Sequence, residues 1–171
     1  MDNIIEYLDN FDKTVARARN KNSGPPGVQI KLLDPKATIP KYATEGASGF
    51  DIRAVFDGED VIVYAGKTWV FNTGLAFKIP DGYELQIRPR SGIAFKHSIT
   101  VLNSPGTLDS DFLGELKILL INHGDNPFKV QSGNRIAQGV IAPVIRVNFE
   151  LVDKLPETVR GTGGFGSTGI K

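Results

Sequence analysis

From Val28 onward the chain is written in short β-rich runs, and this constrains its fold more than any single residue. The runs are "VQIKLL", "VIVY", "TWVFNTGLAF", "YELQIR", "ELKILLIN", "FKVQ" and "RIAQGVIAPVIRVNFELV". Between them lie turn signals: "DPKA", "FDGED", "AGK", "IPDGY", "HGDNP" and "QSGN". No second long helical pattern intervenes, which disfavours parallel strands joined by helices. Many short strands with regular turns predict an all-β fold, an antiparallel sandwich or jelly roll.

Ahead of this domain, residues 3 to 19 carry Ile4, Leu8, Phe11 and Val15 at helical spacing, with acids early and Lys13, Arg17 and Arg19 late. That order suits an amphipathic helix and its dipole. "NKNSGPPG" then reads as a linker. The chain thus divides into an N-terminal helical extension with linker over 1–27, a β domain over 28–159 and a flexible C-terminal segment over 160–171. The extension either packs on the domain or offers a surface to a protein partner.

Composition narrows the function classes. With 171 residues and a net charge of +1, there is length for a real core and no general electrostatic drive toward nucleic acid or an acidic membrane. The absence of cysteine removes disulfides and thiolate metal sites and suits a reducing compartment. No run approaches the ~20 apolar residues of a bilayer span, and the N-terminus lacks the order of a secretion signal. The expectation is an intracellular protein, not secreted, with no membrane or stable nucleic-acid partner.

Five stretches carry more than strand alternation requires. "ASGFDIRA" sets Gly49 and Asp51 at the edge of a run. "RPRSGIA" groups Arg88, Arg90, Ser91 and Gly92; guanidinium forks and a Ser-Gly turn suit phosphate oxygens. "NSPGTLDSDFLGEL" holds Asn103, Gly106, Thr107, Asp109, Asp111 and Phe112. If that segment is extended, Asp109 and Asp111 share a face, a costly arrangement unless a cation or a reaction uses it. "NRIAQGVI" brings Arg135 and Gln138 into an apolar strand, and "RGTGGFGSTGIK" sets Arg160, Phe165, Gly166, Ser167 and Thr168 among glycines. Arginines, hydroxyls and glycine backbone converge on a polyanion. Paired aspartates suit Mg²⁺ or a base, and Phe112 and Phe165 offer flat faces to a sugar and a base. Together they describe a nucleoside polyphosphate site, without a P-loop.

In this order and spacing, "ASGFDI", "PRSG", "GTLDSDFLG", "RIAQ" and "RGTGGFGSTG" resemble the trimeric dUTPases over residues 28 to 169. The resemblance implies a β jelly roll, a homotrimer with sites shared between subunits, and Mg²⁺-assisted hydrolysis of dUTP to dUMP and pyrophosphate. It implies that Asp109 activates the water, that Arg90, Ser91 and Gly92 hold phosphate oxygens, and that Gln138 meets the α-phosphate region. Asp51 would support metal-bound water or the frame of the site. Asn103, with the backbone through Gly106 and Thr107, would read uracil, and Phe112 would stack under deoxyribose. The glycine-rich tail would be a lid, with Phe165 and Gly166 over uracil and Arg160, Ser167 and Thr168 on the terminal phosphates. Phe112 stands where the family commonly has tyrosine, and Asn134 where it usually has aspartate. Two alternatives accompany this reading: a related dCTP deaminase, alone or bifunctional, which needs a glutamate at the pyrimidine, and a nucleotide-gated protein-binding regulator.

Overall fold

A computed structural model describes residues 26–167 and 169. Ten strands and one short helix account for its regular structure: β1 (Gln29–Leu32), β2 (Phe50–Arg53), β3 (Val61–Val63), β4 (Thr68–Lys78), β5 (Tyr83–Arg88), α1 (Ser91–His97), β6 (Ile99–Val101), β7 (Gly106–Leu108), β8 (Glu115–Asn122), β9 (Phe128–Val130) and β10 (Arg135–Pro143). One sheet has the order β1-β4-β8-β6, a second the order β2-β10-β5-β7, and β3 and β9 form a separate ribbon. Every pairing is antiparallel. This is the antiparallel all-β architecture expected from the runs and turns, and the jelly roll that the resemblance implies.

Alternation explains which face goes inward. In β8, Leu116, Ile118, Leu120 and Asn122 are buried while Lys117 is exposed. They meet Phe71, Leu75 and Phe77 of β4 and, from the other sheet, Ile52, Leu85 and Ile136 in one core. Asn122 is the polar exception, and every part of its amide is used. Its Nδ2 donates to the carbonyls of Val63 and Asn126, both at 2.8 Å, and its Oδ1 accepts from the Gly124 N–H at 2.9 Å. A buried amide satisfied in this way costs little and ties β8 to the ribbon.

β4 is the longest strand, and it bends at Gly74. There φ is +65°, and a Cβ would lie 2.8 Å from the Cβ atoms of Ala37 and Asp34, so only glycine fits. The freed Gly74 N–H is taken by the Glu115 carboxylate at 2.9 Å, while Thr73 Oγ1 donates to the Leu116 carbonyl at 2.6 Å. The ladder to β8 shifts register across this bulge.

Two expectations need correction. The run "RIAQGVIAPVIRVNFELV" is strand only to Pro143; residues 144–152 pair with no other strand among the described residues. Ile145, Val147, Phe149 and Leu151 alternate as a strand would, yet Phe149 is 97% and Leu151 100% exposed. Alternation alone supplies no neighbour. Second, "SGIAFKH" is helical rather than a simple turn. The N-terminal helical expectation lies outside the described residues.

Candidate active site

The outer face of the β2-β10-β5-β7 sheet gathers the first group of expected residues. Asp51 pairs in register with Gln138, and Gln138 with Arg88. Arg135 and Gln138 are three apart and would face opposite sides of a regular strand. A bulge between Arg135 and Ala137 absorbs the mismatch, so that both Ile136 and Ala137 are buried while Arg135 and Gln138 share the outer face with Asp51.

Asp51 is the hub of this group. Its Oδ1 accepts from Arg90 Nε at 2.6 Å and its Oδ2 from Arg135 Nη1 at 3.0 Å. The three side chains are 27%, 25% and 49% exposed, so this is a partly desolvated triad in which charge-assisted hydrogen bonds keep much of their strength. Arg90 Nη1 also donates to the Arg135 carbonyl at 3.1 Å. Gln138 Nε2 donates to the Pro89 carbonyl at 2.9 Å, and its Oε1 rests against Gly49, where a Cβ would come within 2.6 Å. Gly49 is therefore a space left for the Gln138 amide. Ser91 and Gly92 open α1 beside Arg90 and are exposed, with open space around Gly92.

A second group surrounds β7. A cleft of about 280 Å³ is lined by Ile87, Val101, Asn103, Gly106, Thr107 and Phe112, among others. Ile87, Val101 and Leu108 give it apolar wall, and Asn103, Thr107, Glu115 and Lys117 give it polar groups, a mixture that suits one flat heterocycle and a sugar. The Phe112 ring folds back over Gly114, where a Cβ would come within 2.6 Å of it. Asp109 follows β7 directly and is exposed. Asp109 to Phe112 form a turn closed by the Phe112 N–H on the Asp109 carbonyl at 3.2 Å, and Lys78 Nζ donates to the Ser110 carbonyl at 2.9 Å. The segment is not extended, so the shared-face argument for Asp109 and Asp111 does not hold.

The tail is a third group and makes no hydrogen bond or ion pair to either of the others among the described residues. Arg160 Nε donates to the Gly163 carbonyl at 2.8 Å, and the Ser167 N–H to the Gly164 carbonyl at 3.0 Å. Phe165 stands at φ 48° with its ring fully in solvent. Gly166 is exposed beside it, and Thr168 lies outside the described residues.

The chain does not unite the first two groups. Leu108 is opposite Leu85, which sets Asp109 level with Glu84; Arg90 lies at the far end of β5. At ~3.3 Å per residue the separation along the sheet is roughly 20 Å. A base must come within hydrogen-bond reach of its water, so Asp109 and Arg90 of one chain do not serve one phosphate.

A family model for dUTPase matches residues 35–169. The chain belongs to the dUTPase family. It is 55% identical over 142 residues to the deoxyuridine 5'-triphosphate nucleotidohydrolase of Nautilia profundicola, a match covering 83% of this chain and 98% of the relative. To the enzyme of the same name from Picosynechococcus sp. it is 56% identical over 142 residues, again 83% of this chain and 98% of the other. Among solved structures, the Staphylococcus bacteriophage 80alpha dUTPase with dUPNHPP superposes with a TM-score of 0.76 at 26% identity, covering 84% of this chain and 99% of that one. The five motifs that carried the resemblance thus lie in a dUTPase chain.

Sequence reasoning named the side chains of these groups but missed their backbone partners. The carbonyls of Pro89 and Arg135 fix Gln138 and Arg90. Backbone oxygens leave no signature in a sequence. The bulge at Ile136 had a signal: two polar residues three apart in a strand whose intervening residues are apolar.

Proposed function

We propose that the protein hydrolyses dUTP to dUMP and pyrophosphate. The observation that carries this reading is the nucleoside-sized cleft with Asp109 at its edge, on a dUTPase chain that also holds an arginine-rich phosphate face. Uracil and deoxyribose occupy the cleft, with Asn103 and the backbone through Thr107 on the base edge and Phe112 under the sugar. Asp109 takes a proton from water as its oxygen attacks the α-phosphorus. The bond to the oxygen bridging the α- and β-phosphates breaks, and pyrophosphate leaves with the electron pair. Arg90, Ser91 and Gln138 hold phosphate oxygens and offset the charge on them, which is most of what phosphoryl transfer asks of a protein. This activity limits uracil entry into DNA and supplies dUMP, and it suits an intracellular location.

Magnesium fits this scheme as a nucleotide-borne ion. Among the described residues no group of three or more His, Cys, Asp or Glu could cage a metal, and both Asp51 oxygens are engaged by arginines. Asp51 and Gln138 would reach it only through water, while substrate phosphates supply the direct ligands, as Mg²⁺ prefers. When bound, it neutralises phosphate charge.

The roughly 20 Å between Asp109 and Arg90 supports a site completed between chains: the cleft and Asp109 from one copy, the arginine face from a second. The tail of a third would close it, with Phe165 and Gly166 over uracil and Arg160, Ser167 and Thr168 on phosphate. The exposed apolar residues between 145 and 151 favour the same homotrimer. Glu115 lines the cleft and accepts the Gly74 N–H through Oε1, and it follows the Asn103–Gly114 segment in which the deaminase reading needs its glutamate. The test is pyrophosphate and ammonia release from dUTP, dCTP, dTTP and UTP, with Mg²⁺ and with chelator. Pyrophosphate from dUTP alone, lost with chelator and without ammonia, is expected; ammonia from dCTP would replace the reading with deamination.

A further inference from the structure

The geometry points to Arg135 as a positioning residue that fixes the guanidinium of Arg90 through Asp51 and does not itself meet the nucleotide. This inference rests on the proposed hydrolysis of dUTP for its kinetic arm only.

Three contacts close a ring. Arg90 Nε donates to Asp51 Oδ1 at 2.6 Å, Arg135 Nη1 donates to Asp51 Oδ2 at 3.0 Å, and Arg90 Nη1 donates to the carbonyl of Arg135 at 3.1 Å. The ring joins β2, the start of α1 and the start of β10, three segments far apart in sequence. A lone Asp51–Arg90 pair would leave the carboxylate free to turn about its terminal bond and the guanidinium free to follow it. With Oδ2 held by Arg135, that rotation is stopped. The bulge at Ile136 is what allows it, because only there do Arg135 and Asp51 share a face.

The ring also decides what Arg90 presents. A guanidinium has five N–H donors. Two are spent within the ring, and Nη2 takes no partner among the described residues. Arg90 therefore offers Nη2 and the second Nη1 proton, its terminal edge, to two phosphate oxygens. Arg135 enters the ring twice, through Nη1 on Asp51 and through its backbone oxygen on Arg90 Nη1. A residue that only holds another should affect how well the phosphate is received, and should do nothing once that other anchor is gone.

The experiment measures kcat and KM for dUTP on the wild type, R135A, R135K, D51N and the D51N/R135A double variant. R135A is expected to raise KM roughly tenfold with kcat nearly unchanged, and R135K to recover most of the loss by restoring a cation on Asp51. The double variant is expected to be no worse than D51N alone. Losses that multiply in the double variant would mean that Arg135 meets substrate itself and would overturn the inference. A second readout needs no turnover: the ¹⁵N–¹H resonance of Arg90 Nε, protected by Asp51 in the wild type, should shift and exchange faster in R135A. An unchanged resonance would overturn the inference even in an active enzyme. A shifted resonance in a protein that does not act on dUTP would uphold it while removing the proposed function.

Discussion

Asp109 is exposed, directly after β7, and takes no ion-pair partner among the described residues. That suits a base, since neither of its oxygens is held by a cation and both stay open to water. Asp51 illustrates the opposite case. Replacing Asp109 with asparagine keeps shape and hydrogen bonding but removes proton acceptance, so turnover should fall about 100-fold or more while affinity for a non-hydrolysable dUTP analogue changes little. Single-turnover kinetics beside equilibrium binding would check this. A large loss in Asp111→Asn and none in Asp109→Asn would reverse the assignment. At this scale the sequence was informative about side chains: Asp51, Arg90, Arg135 and Gln138 do gather. It was silent about which of them hold one another, because those choices are made by the Pro89 and Arg135 carbonyls and by one extra residue in a strand.

The β3–β9 ribbon shows how an element is secured outside the two main sheets. Asp60, just before β3, accepts from Lys129 Nζ at 2.7 Å and from Gln131 Nε2 at 3.1 Å. The hydrogen bond from Lys129 and then that from Gln131 hold its carboxyl below the ordinary value of 3.8. A depressed carboxyl pKa contributes stability that is complete above the unfolded value and is lost as pH falls through the lower folded one. Asp60→Asn should therefore melt slightly below the wild type at neutral pH, with the gap closing as pH drops below about 3.8. Calorimetry of both proteins across that range would show it; a gap independent of pH would mean the ion pair contributes nothing. Strands were the legible elements, since alternation in β8 and turn residues between runs are physical causes visible in sequence. The helix α1 was not, because its seven residues include none that is buried and so leave no apolar stripe. Residues 145 to 151 alternate without a partner strand, which shows that periodicity reports readiness to pair, and pairing needs a neighbour.

Over the whole molecule, three groups of residues stand apart: the cleft with Asp109, the Asp51 ring, and a tail whose hydrogen bonds, among the described residues, are all to itself. Glycine-rich chain that must settle over product and then release it has reason to make few fixed contacts. Removing residues 160 to 171 is expected to abolish most turnover while sedimentation still finds the assembled species; dissociation would instead make the tail structural. The family and its fold were readable because five short motifs each carry a chemical constraint. The division of the site between groups was not, since distance along β5 follows only from register. On the shared-site reading, that division has a consequence for inheritance. Two alleles, one damaged at Asp109 and one at Arg90, encode subunits that are each inert, yet a cell carrying both could build mixed assemblies in which one site draws only on sound parts, so that neither lesion behaves as simply recessive in the other's company.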